Sequence, residues 1–301
     1  MLIIIGVTKK RGDTPAFFHI NGMLTRRGET MSQLLRDQYP LKGRVILITG
    51  VSRRQGIGHA VAKQCAAFGA SIIAHHYQPH DEEQEWGSDQ LSEVFKGIQS
   101  ELIGDARFLD ISGDFQKAET PDQVMNVAVD AFGQVDGLVC NHAMSGSDGA
   151  IGELTAEMLD NHWAVNTRSS ILLAQAFANQ MTKDREGSIL FMTSGQRLGP
   201  MPGEIAYASA KGALADITLT IADQLADQQI RVNTVNPGPV DTGYMDETTW
   251  KQLKPMFPFG RYGQPEDPAR LIAWLLTTEA RWITRQIINT EGGFGRWRPK
   301  G

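Results

Sequence analysis

From residue 43 onward, short apolar runs alternate with longer stretches in which apolar residues return every three or four positions. Residues 44–49, Arg-Val-Ile-Leu-Ile-Thr, form a nearly unbroken apolar run of strand length. Such a run fits a strand buried on both faces of a parallel sheet. A helical pattern begins at His59 and is closed by Gly69, and a second strand run covers 71–76. Further strand-length runs stand at 106–111, 135–140, 188–193, 230–235 and 286–290. Helical periodicity fills the intervals at 88–103, 121–132, 155–182, 205–227 and 266–278. Strands alternating with helices predict an α/β fold, a single Rossmann-type doubly wound parallel sheet of about seven strands with helices on both faces. No linker or repeat interrupts residues 43–295, so 43–301 reads as one domain.

Residues 1–42 follow no such pattern. They are rich in Arg, Lys, Gly and Thr without sustained periodicity, which predicts a poorly ordered extension. An edge strand over residues 2–7 is the alternative, and Met31 offers a second start. Composition changes this picture little. Of 301 residues, 41% are hydrophobic and 21% charged, which fits a soluble globular protein with a substantial core. The net charge of −5 argues against nucleic acid as a partner. Two cysteines, Cys65 and Cys140, both inside apolar patterns, exclude a disulfide framework and fit a reducing cytoplasm. No apolar run approaches the roughly 20 residues of a membrane span, so no membrane partner is expected.

The first candidate chemistry lies between the first strand and the first helix. Gly50-Val-Ser52-Arg53-Arg54-Gln-Gly56-Ile57-Gly58 is a glycine loop in strand–loop–helix context. Glycines there let the backbone approach a pyrophosphate, which the helix N-terminus stabilises. The spacing departs from the usual dinucleotide fingerprint, because five residues separate Gly50 from Gly56. A site for NAD usually places an acid at the end of the second strand to accept from the ribose 2′-hydroxyl. Here that position reads His75-His76-Tyr77-Gln78, and the next acid is Asp81. Arg53 and Arg54 could instead bind a 2′-phosphate, so NADP(H) is expected over NAD(H). His76, and Asp110 with Ile111 at the end of the third strand, are candidates for the adenosine side, Asp110 facing the adenine edge.

Tyr207 and Lys211 are four apart in a helical pattern and so share one face. An ammonium that close favours the charged form of a phenol and lowers its pKa from about 10 toward working pH. That is the chemistry of a tyrosine general acid. The pair alone is a common coincidence, and its surroundings decide.

Those surroundings resemble the short-chain dehydrogenase/reductase family over about residues 43–295. The loop from Thr49-Gly50 to Gly58 is similar to the family's Thr-Gly-x-x-x-Gly-x-Gly with two extra residues. Val139-Cys-Asn141-His-Ala143 stands where the family has Asn-Asn-Ala-Gly, with Asn141 in register. Asn166, in Trp163-Ala-Val-Asn-Thr, matches the catalytic-helix asparagine. Ser194 precedes Tyr207 by the family's spacing, and Lys211 completes the set. The segment from Asn236 through Pro237, Gly238 and Val240 to Thr242 resembles the Pro-Gly stretch whose threonine contacts the nicotinamide carboxamide. Residues 283–293 resemble the terminal strand and Gly-Gly turn.

The resemblance implies hydride transfer between a nicotinamide cofactor and a carbonyl or secondary alcohol. Tyr207 would donate the proton, Lys211 lower its pKa and hold the nicotinamide ribose, Ser194 bind the substrate oxygen, and Asn166 hold a water. None of these motifs implies a metal. Within the family the chain most resembles 3-oxoacyl-acyl-carrier-protein reductase-like members, which makes a 3-oxoacyl thioester one candidate substrate. The resemblance also implies a homo-oligomer, tetramer or dimer, onto which the basic end from Arg296 to Lys300 could dock. Met144, Ser145, Gln196, Leu198, Met201 and residues 243–260, with Trp250, Met256, Phe257 and Phe259, are expected at the substrate pocket or its lid. His142 reads as a structural or ribose-side neighbour rather than a second acid/base, and Glu204 as a solvated acid at a helix start. A silent NADP(H) sensor of the same fold is the alternative function; loss of Tyr207 or Lys211 would mark it, and both are present.

Overall fold

Strand β1, Val45–Ile48, explains the layering of the molecule. Successive side chains of a strand point to opposite faces, and all four here are apolar and buried. Ile46 and Ile48 pack with Val61 and Cys65 on one face, while Val45 and Leu47 pack with Val124 and Phe177 on the other. Each such side chain contributes roughly 1.5–3 kcal/mol of burial. A run of this kind needs a helical layer on both sides. The structure is a computed structural model that describes residues 25–26, 29–30, 37–243 and 246–296.

Six further strands join β1: β2 Ser71–His76, β3 Phe108–Ser112, β4 Gly137–Cys140, β5 Gly187–Met192, β6 Ile230–Asn236 and β7 Ile287–Asn289. Every pairing is parallel, in the order β3-β2-β1-β4-β5-β6-β7. The chain builds outward from β1 to β3 and then returns to place β4 on β1's other side. That reversal opens a crevice beyond the carboxyl ends of β1 and β4, where ligands of such sheets bind.

The helices are α1 Ile57–Ala67, α2 Gln78–Glu82, α3 Leu91–Gln99, α4 Thr120–Phe132, α5 Ala156–His162, α6 Ser169–Gln180, α7 Ile205–Leu225, α8 Glu247–Leu253 and α9 Glu266–Leu275. The single helix expected over 155–182 is split, because a π turn, Trp163–Arg168, separates α5 from α6. Single π turns inside helices are frequent at functional sites, and Asn166 lies within this one. The expected boundary at residue 42 also shifts. The chain divides into Met1–Gln38 and Tyr39–Gly301, and Leu41 is fully buried, its N–H donating to Phe68 O at 2.9 Å. In the first unit, Thr25–Arg26 pairs antiparallel with Glu29–Thr30. The alternative strand at 2–7, Met31, and residues 297–300 of the basic end lie outside the described residues. Among the described residues, no helix is long and apolar enough to cross a membrane, and no cluster of histidine, cysteine and acidic groups could hold a metal.

Candidate active site

The glycine loop leaves β1 at Gly50, whose φ is +72°. A Cβ there would lie 2.8 Å from His142 Cα, and one on Gly58 would lie 2.5 Å from Gly50 O. Both positions therefore need glycine. Asn141 fixes the loop from behind. Its Nδ2 donates to Thr49 O at 3.0 Å and Gly50 O at 3.1 Å. The side chain expected near a ribose is thus a strut under the loop. His142 is a second support, with Nδ1 2.6 Å from Thr49 Oγ1 and Nε2 2.9 Å from Val165 O. Burial, together with neighbouring His75 and Lys211, holds its pKa well below the ordinary value.

Gly56 begins α1 without a side-chain cap, so the first amides of the helix, from Ile57 and Gly58, are open to an anion. At the end of β2, His76 is 6% exposed and its Nδ1 has no hydrogen-bond partner; its Nε2 is 3.3 Å from Asp110 Oδ2. Asp110 therefore meets His76 at the strand end, with Ile111 following it. A glycine cradle, an uncapped helix start and an orphaned polar atom along one crevice fit a dinucleotide.

The two loop arginines are already engaged. Arg54 donates to Asp89 through Nη2 at 2.9 Å and through its backbone N–H at 2.7 Å. Arg53 donates to Thr242 O and lies 5.4 Å over the Trp86 ring. Burial lowers the Arg53 pKa, against the attraction of Asp81 and Asp89. Of the two arginines expected at a phosphate, Arg54 is thus ion-paired with Asp89 and Arg53 lies over Trp86. Ser52 is half-buried in the same loop. Gln55 Nε2 donates to Asp241 Oδ1 at 3.3 Å, so the loop is clasped to the stretch after Pro237 and Gly238. Val240 of that stretch is buried.

Strand β5 delivers Ser194 to the same crevice, and α7 brings Tyr207 and Lys211. Gln196 braces the serine: its Nε2 donates to Thr193 Oγ1 at 2.9 Å, and its Oε1 accepts from Ser194 N at 3.2 Å. The Ser194 side chain is close enough to Tyr207 to favour its charged form. Lys211 is 2% exposed, with Nζ 5.8 Å from the Tyr207 ring centre and donating to Met192 O at 2.9 Å. The expected lowering of the tyrosine pKa is not what the protein alone produces. Desolvation, then Glu204, push Tyr207 up to about 12, and only the influence of Ser194 works the other way. Burial lowers Lys211 to about 8, against the pull of Cys140. A cation whose own charge is weakened by desolvation cannot outweigh the desolvation of the phenol.

The side chain of Asn166 is fully used. Its Oδ1 accepts from Met144 N at 2.7 Å, and its Nδ2 donates to Met144 O at 3.1 Å. These two bonds clamp the backbone after β4. His162 Nε2 pins the same loop at Gly146 O, 2.9 Å away. Asp148 completes the anchoring and was not legible in the sequence. Its two carboxylate oxygens accept from Ala206 N at 2.9 Å and Tyr207 N at 2.8 Å, capping α7 where Glu204 does not. Although burial pulls its pKa upward, the Tyr207, Ala206 and Gly149 amides lower it overall. Desolvation and Asp148 raise Glu204.

The expected substrate wall separates into two groups. Trp250, Met256 and Phe257 are buried, Trp250 packing on Tyr262 at 4.3 Å and Phe257 on Phe294 at 4.8 Å. They form the interior of the segment expected as pocket wall or lid. Leu198 lines an outer depression with Leu219 and Ile287, and Phe259 is 79% exposed. Met144 and Ser145 stay beside Asn166, half-buried.

A family model described as Enoyl-(Acyl carrier protein) reductase matches residues 50–295. "Uncharacterized oxidoreductase YjdA" of Bacillus subtilis is 41% identical over 256 residues, 84% of this chain and 97% of that protein. "NADPH-dependent aldehyde reductase-like protein, chloroplastic" of Arabidopsis thaliana is 28% identical over 272 residues, 88% of this chain and 99% of that one. A solved short-chain dehydrogenase/reductase from Serratia marcescens superposes with a TM-score of 0.74 at 32% identity, covering 85% and 99% of the two chains. With its parallel sheet and glycine-lined crevice, the chain belongs to the short-chain dehydrogenase/reductase family of oxidoreductases.

Proposed function

We propose that this oxidoreductase reduces a ketone or aldehyde to an alcohol with NADP(H), and runs the reverse reaction on a secondary alcohol. The observation that carries this reading is the Ser194–Tyr207 hydroxyl pair, backed by buried Lys211, at the mouth of the crevice. Two adjacent hydroxyls on fixed elements can both donate to one carbonyl oxygen. The nicotinamide, when bound, supplies or takes up the hydride.

The protein's own groups handle the proton and the oxygen. Tyr207 keeps its proton at working pH, since burial holds its pKa near 12, and it releases that proton to the oxygen as negative charge develops. Ser194 donates a hydrogen bond to the same oxygen. Lys211, with a pKa brought down to about 8, favours the tyrosinate left behind whenever it is charged. Asn166 acts through Met144, holding the loop that Asp148 ties to the start of α7.

For the cofactor, Gly50, Ser52, Gly56, Ile57 and Gly58 would face the pyrophosphate, and His76, Asp110 and Ile111 the adenosine. Asn141, Pro237, Gly238, Val240 and Thr242 lie on the nicotinamide side. NADP(H) is favoured because no carboxylate stands at the end of β2 before Asp81, while Arg53 reaches the crevice. The chloroplast relative's name supports the same choice. A homo-oligomer in the cytoplasm fits the exposed Trp163, Leu219 and Trp282 and the two unpaired cysteines.

The test is oxidation of NADPH and of NADH against ketones, aldehydes, 3-oxoacyl thioesters and enoyl thioesters. Carbonyl-dependent turnover with a higher kcat/KM for NADPH is expected. An NADH preference would remove the cofactor choice, turnover of the enoyl thioester alone would move the chemistry to a carbon–carbon double bond, and binding without any turnover would favour a sensor.

A further inference from the structure

Residues 291–296 reach the back of the serine loop, a contact that the mechanism above does not use. Arg296 donates to Glu291 through two nitrogens, Nη1 to Oε2 at 3.0 Å and Nη2 to Oε1 at 2.6 Å. The pair is largely buried, with side-chain exposures of 16% and 7%. Buried bidentate pairs of this kind fix geometry, because both partners lose their freedom together. The guanidinium lies against the loop that follows Ser194. A Cβ on Gly195 would overlap the guanidinium, and one on Gly199 would overlap Arg296 Cδ. The two glycines of this loop thus leave the space that the arginine fills.

Glu291 continues the connection on its other side. Asn236 Nδ2 donates to Glu291 Oε1 at 3.0 Å, and Gly238 N donates to Asn236 Oδ1 at 3.0 Å. Gly238, at φ +64°, is packed so closely on Glu291 that a Cβ would lie 2.7 Å from its Cγ. Between the two ion-paired residues, Gly295 N donates to Met256 O at 3.0 Å and Phe294 packs on Phe257. Residues 291–296 therefore touch the Ser194 loop, the Pro237–Gly238 turn and the expected lid segment at once. The docking role expected for the basic end does not extend to Arg296, whose charge is spent inside the chain.

We infer that Arg296, held by Glu291, is a positioning residue for Ser194. The pair sets the height of the Ser194 loop relative to Tyr207, so the serine hydroxyl meets the substrate oxygen only when the pair is in place. Neither residue touches the reacting atoms. The inference rests on the proposed role of Ser194.

A double-mutant cycle tests it on the full chain with NADPH and whichever carbonyl compound of the panel is turned over. Arg296→Met is expected to lower kcat about tenfold or more, the scale on which a misplaced donor acts, with NADPH affinity within about twofold of the parent. Placed on a Ser194→Ala background it should cost nothing further, because residues acting through one another are not additive. Arg296→Lys should resemble Arg296→Met, since lysine cannot make the flat bidentate contact. If Arg296→Met leaves Glu291 charged, buried and the protein unfolded, the Glu291→Gln/Arg296→Gln pair serves in the same cycle. Parent-like kcat in the Arg296 variants, or a full further loss on the Ser194→Ala background, would overturn the inference. Parent-like kcat in Ser194→Ala alone would overturn the role of Ser194, and this inference with it.

Discussion

Asp148 governs the position of Tyr207 from 59 residues away in sequence. Its carboxylate satisfies two of the amides that a helix start leaves open. Asp148→Ala should cost about 1 kcal/mol of stability and lower kcat more than it changes NADPH affinity; thermal unfolding and steady-state kinetics together check this. The pKa directions around Tyr207 make a second prediction. Reduction needs protonated Tyr207, present throughout the neutral range, and charged Lys211, which is lost above pH about 8. Reduction should therefore be level below that pH and decline above it, whereas alcohol oxidation, which needs Tyr207 as a base, should rise with pH. Rate profiles in both directions decide. His75 adds a stability effect. Burial lowers its pKa to about 3, so the folded state refuses a proton that the unfolded chain accepts below pH about 6.5. Stability present above pH 6.5 is lost as the pH falls toward 3. A His75→Gln variant should show a shallower fall of Tm between pH 6.5 and 4.5. Tyr207, Lys211 and Ser194 were legible because their spacing is carried within one loop and one helix. Asp148, the Asn166–Met144 clamp and the engagement of Arg54 by Asp89 were not, because each partner comes from another part of the chain with no pattern linking them.

Among the elements, strands were easiest to read. Residues 45–48 and 187–192 are buried on both faces, so continuous apolar runs marked them directly. Helices α2 and α8 are five and seven residues long, too short and too polar to show a period. The π turn was invisible for another reason: one extra residue per turn does not alter the apolar pattern enough to be seen. Its packing is specific nonetheless, for Thr167 Oγ1 donates to Ala210 O at 2.8 Å, joining the turn to α7 one residue before Lys211. Thr167→Val removes that donor while keeping the shape. It should lower stability by about 1 kcal/mol, read as a shift of the urea midpoint at unchanged slope.

Across the whole molecule, the strand order places the reversal between β1 and β4, and the glycine loop after β1 and Asn141 after β4 flank it. Alternation of strands and helices made the doubly wound sheet legible, whereas the start of the domain was misjudged because residues 39–42 carry too few apolar positions to reveal that Leu41 is buried. A chain starting at Arg44 should have a lower Tm, because it loses buried Leu41 and its hydrogen bond to Phe68 O. The central claim is that Tyr207 supplies the proton for a hydride-transfer reaction. Its most direct test is Tyr207→Phe, with NADPH turnover and NADPH binding measured on the same preparation. The account predicts a fall in kcat of at least about a hundredfold, the lower range for a general acid, with cofactor affinity within about twofold. Turnover retained in the phenylalanine variant would contradict it.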